Sequence, residues 1–217
     1  QLAEIHSKFM MGSLGDDGIG GDPDDKPHPP ADDITPFPFP MTREKSRGID
    51  IALMYSEPLV KRDAIGIVSL GDPVDYEEEC NKLLDLLKSK EKKIDVYFEI
   101  ATVENLVNVL SLSPKILHII CHGEFSKENN EFYLCFEEDG ELKELYSSDL
   151  KEKLAEVELK TQMVFVNACH SEEVARVFQQ AGVPCVIAVQ SELKIEDQIA
   201  QKFLETFYWQ LVEGKRI

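Results

Sequence analysis

The chain has 217 residues, enough for one domain, and 43% of them are apolar, enough for a substantial core. Its 41 acidic and 23 basic side chains give a net charge of −18, which argues against nucleic-acid and anionic-membrane binding and favours basic partners. No apolar run approaches the roughly 18 residues that a membrane-spanning helix needs. The five scattered cysteines fit reduced thiols in a cytoplasmic protein better than a disulfide framework.

The N-terminal 47 residues differ in composition from the rest of the chain. Residues 12–40 hold seven of the eleven prolines, five glycines and seven aspartates. Such a stretch cannot bury enough apolar surface to offset its ordering entropy. We therefore predict that residues 1–47 form an acidic, disordered tail or linker, with residues 2–11 as the end of a preceding helix.

From Gly48 onward, apolar strands alternate with amphipathic helices. The predicted strands are Ile49 to Tyr55, Ile94 to Phe98, Ile116 to Cys121, Met163 to Val166 and Cys185 to Val189. The first predicted helix begins at a capping box formed by Asp75 and Glu78. The other predicted helices are Val103 to Leu112, Ser148 to Leu154, Glu172 to Ala181 and Ile195 to Val212. Asp139-Gly140 between alternating runs predicts a β-hairpin. This order predicts an α/β domain over residues 48–217, with a mostly parallel central sheet and helices on both faces.

Two of the apolar strands end in reactive side chains. The segment K-I-L-H-I-I-C-H-G delivers His122 and Gly123 into a loop, and Q-M-V-F-V-N-A-C-H-S delivers Cys169. Ligands of open parallel sheets bind beyond the carboxyl ends of the strands, so a base and a thiol can meet there. The helix that follows Cys169 favours its thiolate, and the Gly123 N–H can stabilise an oxyanion. These residues suit attack by Cys169 on a peptide carbonyl, with His122 as acid and base.

The other cysteines and histidines have simpler interpretations. Cys121, Cys135 and Cys185 are expected to be small buried groups. His118 lies within a strand and is expected to be packed, and His170 is too close to Cys169 in sequence to reach its sulfur. A zinc site is disfavoured because consecutive strand residues point to opposite faces and structural zinc ligands are more closely spaced. We expect no metal and no cofactor.

Three segments together resemble the CHAT domain, a branch of the caspase-like cysteine peptidases that lies near separase. They are H-I-I-C-H-G at 118–123, V-N-A-C-H-S at 166–171 and D-Q-I-A-Q-K-F-L-E-T-F-Y-W-Q-L-V-E-G-K at 197–215. The separation of 47 positions from His122 to Cys169 is close to the roughly 50 of caspases. The resemblance covers residues 48–217 and implies a caspase-like three-layer sandwich. It also implies a truncated C-terminus, because the family's closing helix is usually followed by more chain. It also implies a His122–Cys169 dyad, a thioacyl-enzyme, and an oxyanion hole formed by the amides of Gly123 and Cys169.

The resemblance also implies a substrate preference. Separase- and metacaspase-like relatives cleave after Arg or Lys and place a carboxylate in the primary specificity pocket, and many metacaspases have an Asp where this chain has Asn167. We therefore expect cleavage after a basic residue, with Glu57 as the pocket carboxylate, Asp72 as second choice and Asn167 beside them. Lys61 and Arg62 lie in the same loop as Glu57 and could serve the opposite preference, for Asp.

The expected partner is a protein or peptide substrate. CHAT domains are often fused behind helical repeats that sense a partner, so a regulatory partner or such repeats elsewhere in the full-length protein are also expected. The rival function is a catalytically inactive, caspase-like interaction or scaffold module. The intact set of His122, Gly123 and Cys169 favours the cysteine endopeptidase, because a binding module has no need of all three.

Overall fold

The structure is a computed structural model, and it describes residues 9–13, 49–62, 66–69, 76–88, 94–189 and 197–213. Within these ranges the chain forms two sheets and five helices. The strands of the larger sheet are β1 (Phe9–Ser13), β2 (Ile51–Tyr55), β5 (Val96–Ile100), β6 (Ile116–Ile120), β10 (Met163–Asn167) and β11 (Cys185–Val189). Their order is β1-β11-β10-β6-β2-β5, and all except β1 run parallel to one another.

Helices cover both faces of this central sheet. The first face carries α1 (Tyr76–Lys88) and α5 (Asp197–Glu213), and the second carries α2 (Val103–Ser111), α3 (Ser147–Leu154) and α4 (Glu172–Gln180). Successive strand residues point to opposite faces, so Phe165 of β10 packs with α5 while Val166 packs with the helices of the second face. The inner strands β2, β6, β10 and β11 are mostly apolar because neither of their faces meets water. The predicted three-layer α/β sandwich is confirmed.

The helices follow from apolar residues at helical spacing. In α1, Cys80, Leu83 and Leu87 are buried together, and full burial of a leucine side chain contributes about 1.5–3 kcal/mol. The Thr102 hydroxyl caps α2 by accepting the N–H of Asn105 at 3.0 Å. The Asp75 cap predicted for α1 lies outside the described residues.

The smaller sheet has the order β4-β3-β9-β8-β7. Its strands are β3 (Val60–Arg62), β4 (Ile67–Ser69), β7 (Gly123–Ser126), β8 (Glu131–Glu138) and β9 (Glu141–Tyr146). The hairpin of β8 and β9 was predicted, and its turn residues Asp139 and Gly140 have the positive φ angles, 54° and 80°, that such a turn requires. β3, β4 and β7 were not predicted. β7 matters for the site because it begins directly after His122.

Within the N-terminal 47 residues the structure describes only 9–13, and these form a strand. The prediction of a helix end there was wrong. Phe9 pairs with Val189 and Ser13 with Cys185 along the edge of β11, so backbone pairing to a distant strand overrides the local sequence preference. The remainder of the predicted tail lies outside the described residues. None of the helices in the described ranges combines the length and apolar character that a bilayer crossing requires.

Candidate active site

β6 and β10 are neighbouring parallel strands, and their register brings two predicted site residues to the same place. Ile120, the last residue of β6, lies opposite Asn167, the last residue of β10. His122 and Cys169 each follow two residues later, so their 47-residue spacing equals the register offset of the two strands. Neighbouring strands lie about 4.8 Å apart, so the loops that carry His122 and Cys169 leave the sheet side by side.

The two loops touch at Gly123. A Cβ atom added to Gly123 would lie 1.8 Å from the carbonyl oxygen of Cys169 and 2.9 Å from its carbonyl carbon, so any other residue would force the backbones apart. The loops are also joined by a hydrogen bond from the Cys121 N–H to the Asn167 carbonyl, at 3.3 Å. The two backbone segments predicted to form an oxyanion hole are therefore in contact.

A buried serine holds the loop that follows β10, which we call the nucleophile loop (residues 167–171). The Ser171 hydroxyl is fully buried and donates to the Ala168 carbonyl at 2.8 Å, and its oxygen accepts the Val189 N–H at 3.0 Å. A serine directly before a helix ordinarily caps the first turn, but the side chain of Ser171 makes no capping bond to α4. It ties the nucleophile loop to the end of β11. Sequence reasoning missed this role because a serine before a helix already has a common explanation.

The histidines of the central strands lie in very different surroundings. His122 is exposed at the end of β6, whereas His118 is fully buried within β6, as predicted. His170 has a left-handed backbone, with φ of 57°, which histidine adopts more readily than most residues with a side chain. Its ring stacks on Phe132, with ring centroids 5.0 Å apart. The ring of His170 is thus packed on the smaller sheet.

Four of the five cysteine thiols have pKa values raised by burial. Burial raises the pKa of Cys80 and Cys135 to about 12. It raises the pKa of Cys185 to about 11 and that of Cys121 well above its usual value. Because the thiolate is the nucleophile, these four cysteines are protonated and slow to react near neutral pH. Cys169 is half-buried, at the loop where the predicted chemistry falls.

A buried polar cluster lies beneath the nucleophile loop, on the face of the sheet that α1 and α5 cover. The amide of Asn167 donates to both carboxylate oxygens of Glu79, at 3.0 and 2.9 Å. Tyr208 lies 3.2 Å from His118 Nδ1, and His118 Nε2 lies 3.3 Å from Glu79 Oε1 without hydrogen-bond geometry. Asn167, predicted for the specificity pocket, therefore has its amide directed to a buried carboxylate.

Glu79 and Tyr208 were not identified from the sequence. A signal for Glu79 was present, because Glu79 shares the apolar face of α1 with Leu83 and Leu87, which are spaced four and eight residues further on. A carboxylate on an apolar helix face must find polar partners. His118, within an otherwise apolar strand, was the matching signal.

Of the residues proposed for substrate charge recognition, Glu57 lies in the loop after β2, whereas Lys61 and Arg62, which were expected in the same loop, lie in strand β3. Glu57 is half-buried, and its backbone N–H donates to a carboxylate oxygen of Glu137 at 3.3 Å. Lys61 pairs with Glu144 at 2.8 Å, and its pKa is raised by that hydrogen bond. Arg62 pairs with Glu141. Asp72 lies outside the described residues. The two cations that could have favoured an acidic substrate residue are thus matched by carboxylates of β9.

A groove of about 950 Å³ lies beside this loop, between α2, the β8–β9 hairpin and α3. Its lining includes eight carboxylates and two lysines. The carboxylates are Glu104, Glu137, Glu138, Asp139, Glu144, Asp149, Glu152 and Glu156. This part of the surface is therefore strongly negative and favours cationic segments. Over the described ranges, no group of three or more His, Cys, Asp or Glu residues is placed to hold a metal ion.

The fold and the two strand-end loops define a caspase-like α/β sandwich. The family model of the CHAT domain matches residues 34–217, so the chain belongs to the CHAT domain family, which is related to the caspase-like peptidases. No curated protein matches the chain. Twelve chains of solved structures match, among them a Streptococcus pneumonia TIGR4 flavodoxin with 15% identity and a TM-score of 0.38, over 75% of this chain and 98% of the flavodoxin. A likeness at that TM-score supports no inference about this chain.

We predict that Gly123→Ala removes catalytic activity while the domain still folds. The added Cβ would overlap the carbonyl of Cys169 and displace the nucleophile loop, and a misplacement of roughly 1 Å can cost on the order of a hundredfold in rate. The measurement is peptide cleavage together with thermal unfolding. Gly140→Ala is the matched control, because Gly140 has a positive φ of 80° but open space around it. Equal losses of activity in the two variants would contradict the prediction.

We also predict that Cys169 reacts first with iodoacetamide near neutral pH. The raised pKa values keep Cys80, Cys121, Cys135 and Cys185 protonated, and Cys185 should become competitive only as the pH approaches its pKa of about 11. Peptide mapping by mass spectrometry over time gives the order. Earlier labelling of Cys121 or Cys135 would show that the nucleophile has been assigned to the wrong residue.

Proposed function

We propose that this CHAT domain is a cysteine endopeptidase with Cys169 as nucleophile and His122 as general acid and base. The observation that carries the proposal is the register of β6 with β10, which sets both residues at the same height beyond the sheet. The contact of Gly123 with Cys169 supports it further, because the glycine is required at the point where an oxyanion hole would form.

In the acylation step, the Cys169 thiolate attacks the carbonyl carbon of the scissile peptide bond and a carbon–sulfur bond forms. The carbonyl oxygen becomes an oxyanion, which the amides of Gly123 and Cys169 stabilise. The carbon–nitrogen bond then breaks, and the His122 imidazolium gives its proton to the leaving amine. The product of this step is a thioacyl-enzyme and a free amine.

In the deacylation step, neutral His122 takes a proton from a water molecule as the water attacks the thioester carbonyl. The carbon–sulfur bond breaks, the carboxylic acid product leaves, and Cys169 returns to the thiolate with His122 protonated beside it. The exposure of His122 suits this step, because water must reach the imidazole. No cofactor takes part in either step.

We further propose that the residue before the scissile bond is Arg or Lys. Lys61 and Arg62, the nearby cations, are paired with carboxylates of β9, whereas Glu57 offers a half-buried carboxylate in the loop after β2. The acidic groove beside this loop and the net charge of −18 favour basic segments in the substrate as a whole. Glu57 remains the proposed pocket carboxylate.

An active-site-directed label tests the endopeptidase proposal. A peptidyl acyloxymethyl ketone with arginine next to the warhead should modify the wild-type chain once, at Cys169, because the warhead reacts when a peptide binds beside an active thiolate. Cys169→Ala should abolish labelling and His122→Ala should slow it by at least about a hundredfold, in the range that general acid–base catalysis contributes. Cys185→Ala is the matched control and should label normally.

If none of a panel of such probes labels the chain, and a thermal-unfolding measurement shows that the chain is folded, the result would favour the inactive interaction module. Labelling that persists in Cys169→Ala would instead identify another nucleophile. The two outcomes are distinguished by the mass of the modified peptide.

A positional-scanning peptide library tests the substrate preference. We expect cleavage after Arg and Lys, and we expect Glu57→Gln to lower kcat/KM for these substrates by about tenfold or more, since an unpaired charge in a pocket costs a few kcal/mol. The same variant should leave labelling by a small, uncharged alkylating agent unchanged. A preference for Asp, or equal kcat/KM in Glu57→Gln, would contradict the assignment.

A further inference from the structure

We propose that Glu79 is a positioning residue for Cys169, which it holds in place through the side chain of Asn167. The kinetic consequence rests on the proposed endopeptidase function, whereas the effect on the thiol itself can be measured without any substrate. Glu79 lies in α1, 90 positions before Cys169 in the sequence, and no motif of the site includes it.

The Glu79 carboxylate is buried beneath the nucleophile loop. Glu79 is only 3% exposed, and an ionised carboxylate at such a position requires hydrogen-bond donors. Asn167 supplies them, since its amide nitrogen lies within 3.0 Å of both oxygens. Tyr208 is fully buried, and its burial raises the pKa of its phenol. The nearby charge of Glu79 raises that pKa further, so the phenol stays protonated. The phenol can donate to His118 Nδ1 at 3.2 Å, which leaves the Nε2 hydrogen on the side of Glu79.

Asn167 joins three parts of the site. Its side chain binds Glu79 of α1, and its carbonyl accepts the N–H of Cys121, next to His122. Two residues further along the chain is Cys169. The far end of the nucleophile loop is fixed by Ser171. Glu79 thus fixes the near end, and the loop that carries the sulfur is held at both ends by buried polar contacts.

The contact with Glu79 explains why residue 167 is asparagine. With Glu79 in place, an aspartate at position 167 would bring two carboxylates to about 3 Å, where both cannot stay ionised. An asparagine turns the same contact into a charge-assisted hydrogen bond. The contact therefore pairs a donor on the strand, the Asn167 amide, with an acceptor on the helix, the Glu79 carboxylate. Exchanging the amide and the carboxylate between the two positions should preserve the hydrogen bond with its direction reversed.

The experiment compares three variants with the wild type by the rate at which iodoacetamide modifies Cys169 in the folded protein. Glu79→Leu and Asn167→Asp should each slow this reaction by about tenfold, because displacement by a fraction of an ångström already disturbs a preorganised site. The double variant Glu79→Gln with Asn167→Asp exchanges donor and acceptor and should restore the rate to within about twofold of wild type. In peptide cleavage, Glu79→Leu should lower kcat more than it raises KM.

Asp50→Asn is the matched control. It breaks the ion pair of Asp50 with Lys115, at 2.8 Å, beside the amino ends of β2 and β6, and it should alter thermal stability without changing the Cys169 rate. If Glu79→Leu lowers thermal stability but leaves the Cys169 rate unchanged, Glu79 is structural only and the proposal is wrong. The proposal would also be overturned if the double variant Glu79→Gln with Asn167→Asp is folded but does not restore the rate of Cys169 modification.

Two further outcomes separate this proposal from the others. If Glu79→Leu changes the preference for Arg over Leu in peptide substrates while the Cys169 rate stays at the wild-type value, Glu79 is a specificity carboxylate, and the positioning role is overturned. If the wild-type chain cleaves no peptide but its Cys169 rate still depends on the Glu79–Asn167 pair, the endopeptidase proposal fails and the positioning role is supported.

Discussion

The parallel pairing of β6 with β10 is the interaction on which the site depends, because it sets His122 and Cys169 at equal height. A shift of one residue would send every side chain of one strand to the opposite face of the sheet. Such a shift is prevented by the two different cores: Leu117 and Ile119 belong to one, whereas Ile116 and Ile120 belong to the other. Since both cores are fully covered, neither strand can slide without exposing apolar side chains or burying new polar ones.

The pairing alone places the loops but does not shape them, and three different devices complete the geometry. Gly123 allows the loops to touch because it lacks a Cβ. Ser171 joins the nucleophile loop to β11 by its hydroxyl. Glu79 joins the start of the loop to α1 by a carboxylate. Buried polar groups of this kind add little net stability and often cost some, but they select one arrangement over its close alternatives.

Much of this molecule could be predicted from local patterns, and the remainder depends on distant contacts. The parallel strands were visible as apolar runs because burial on both faces requires that composition. The register of β6 with β10 brings the two strand ends that precede His122 and Cys169 to the same edge of the sheet, and the dyad itself stays a prediction. β3, β4 and β7 have three or four residues each, too few for alternation to be read, and β3 pairs with β9 far along the chain. The polar cluster was missed because Glu79 and Asn167 meet only after α1 packs on the sheet, although Glu79 and His118 each broke an apolar pattern.

The edge strand β1 has a consequence for the order in which this domain assembles. Phe9 pairs with Val189, 180 positions later, whereas Ile51 of β2 meets Ile116 after only 65. Entropy penalises the longer closure only slightly, by about 0.6 kcal/mol for each doubling of length, but synthesis is directional. Of the described strands, β1 leaves the ribosome first, and its strand partner β11 emerges after all the others. The five parallel strands can therefore form their sheet before β1 joins its edge.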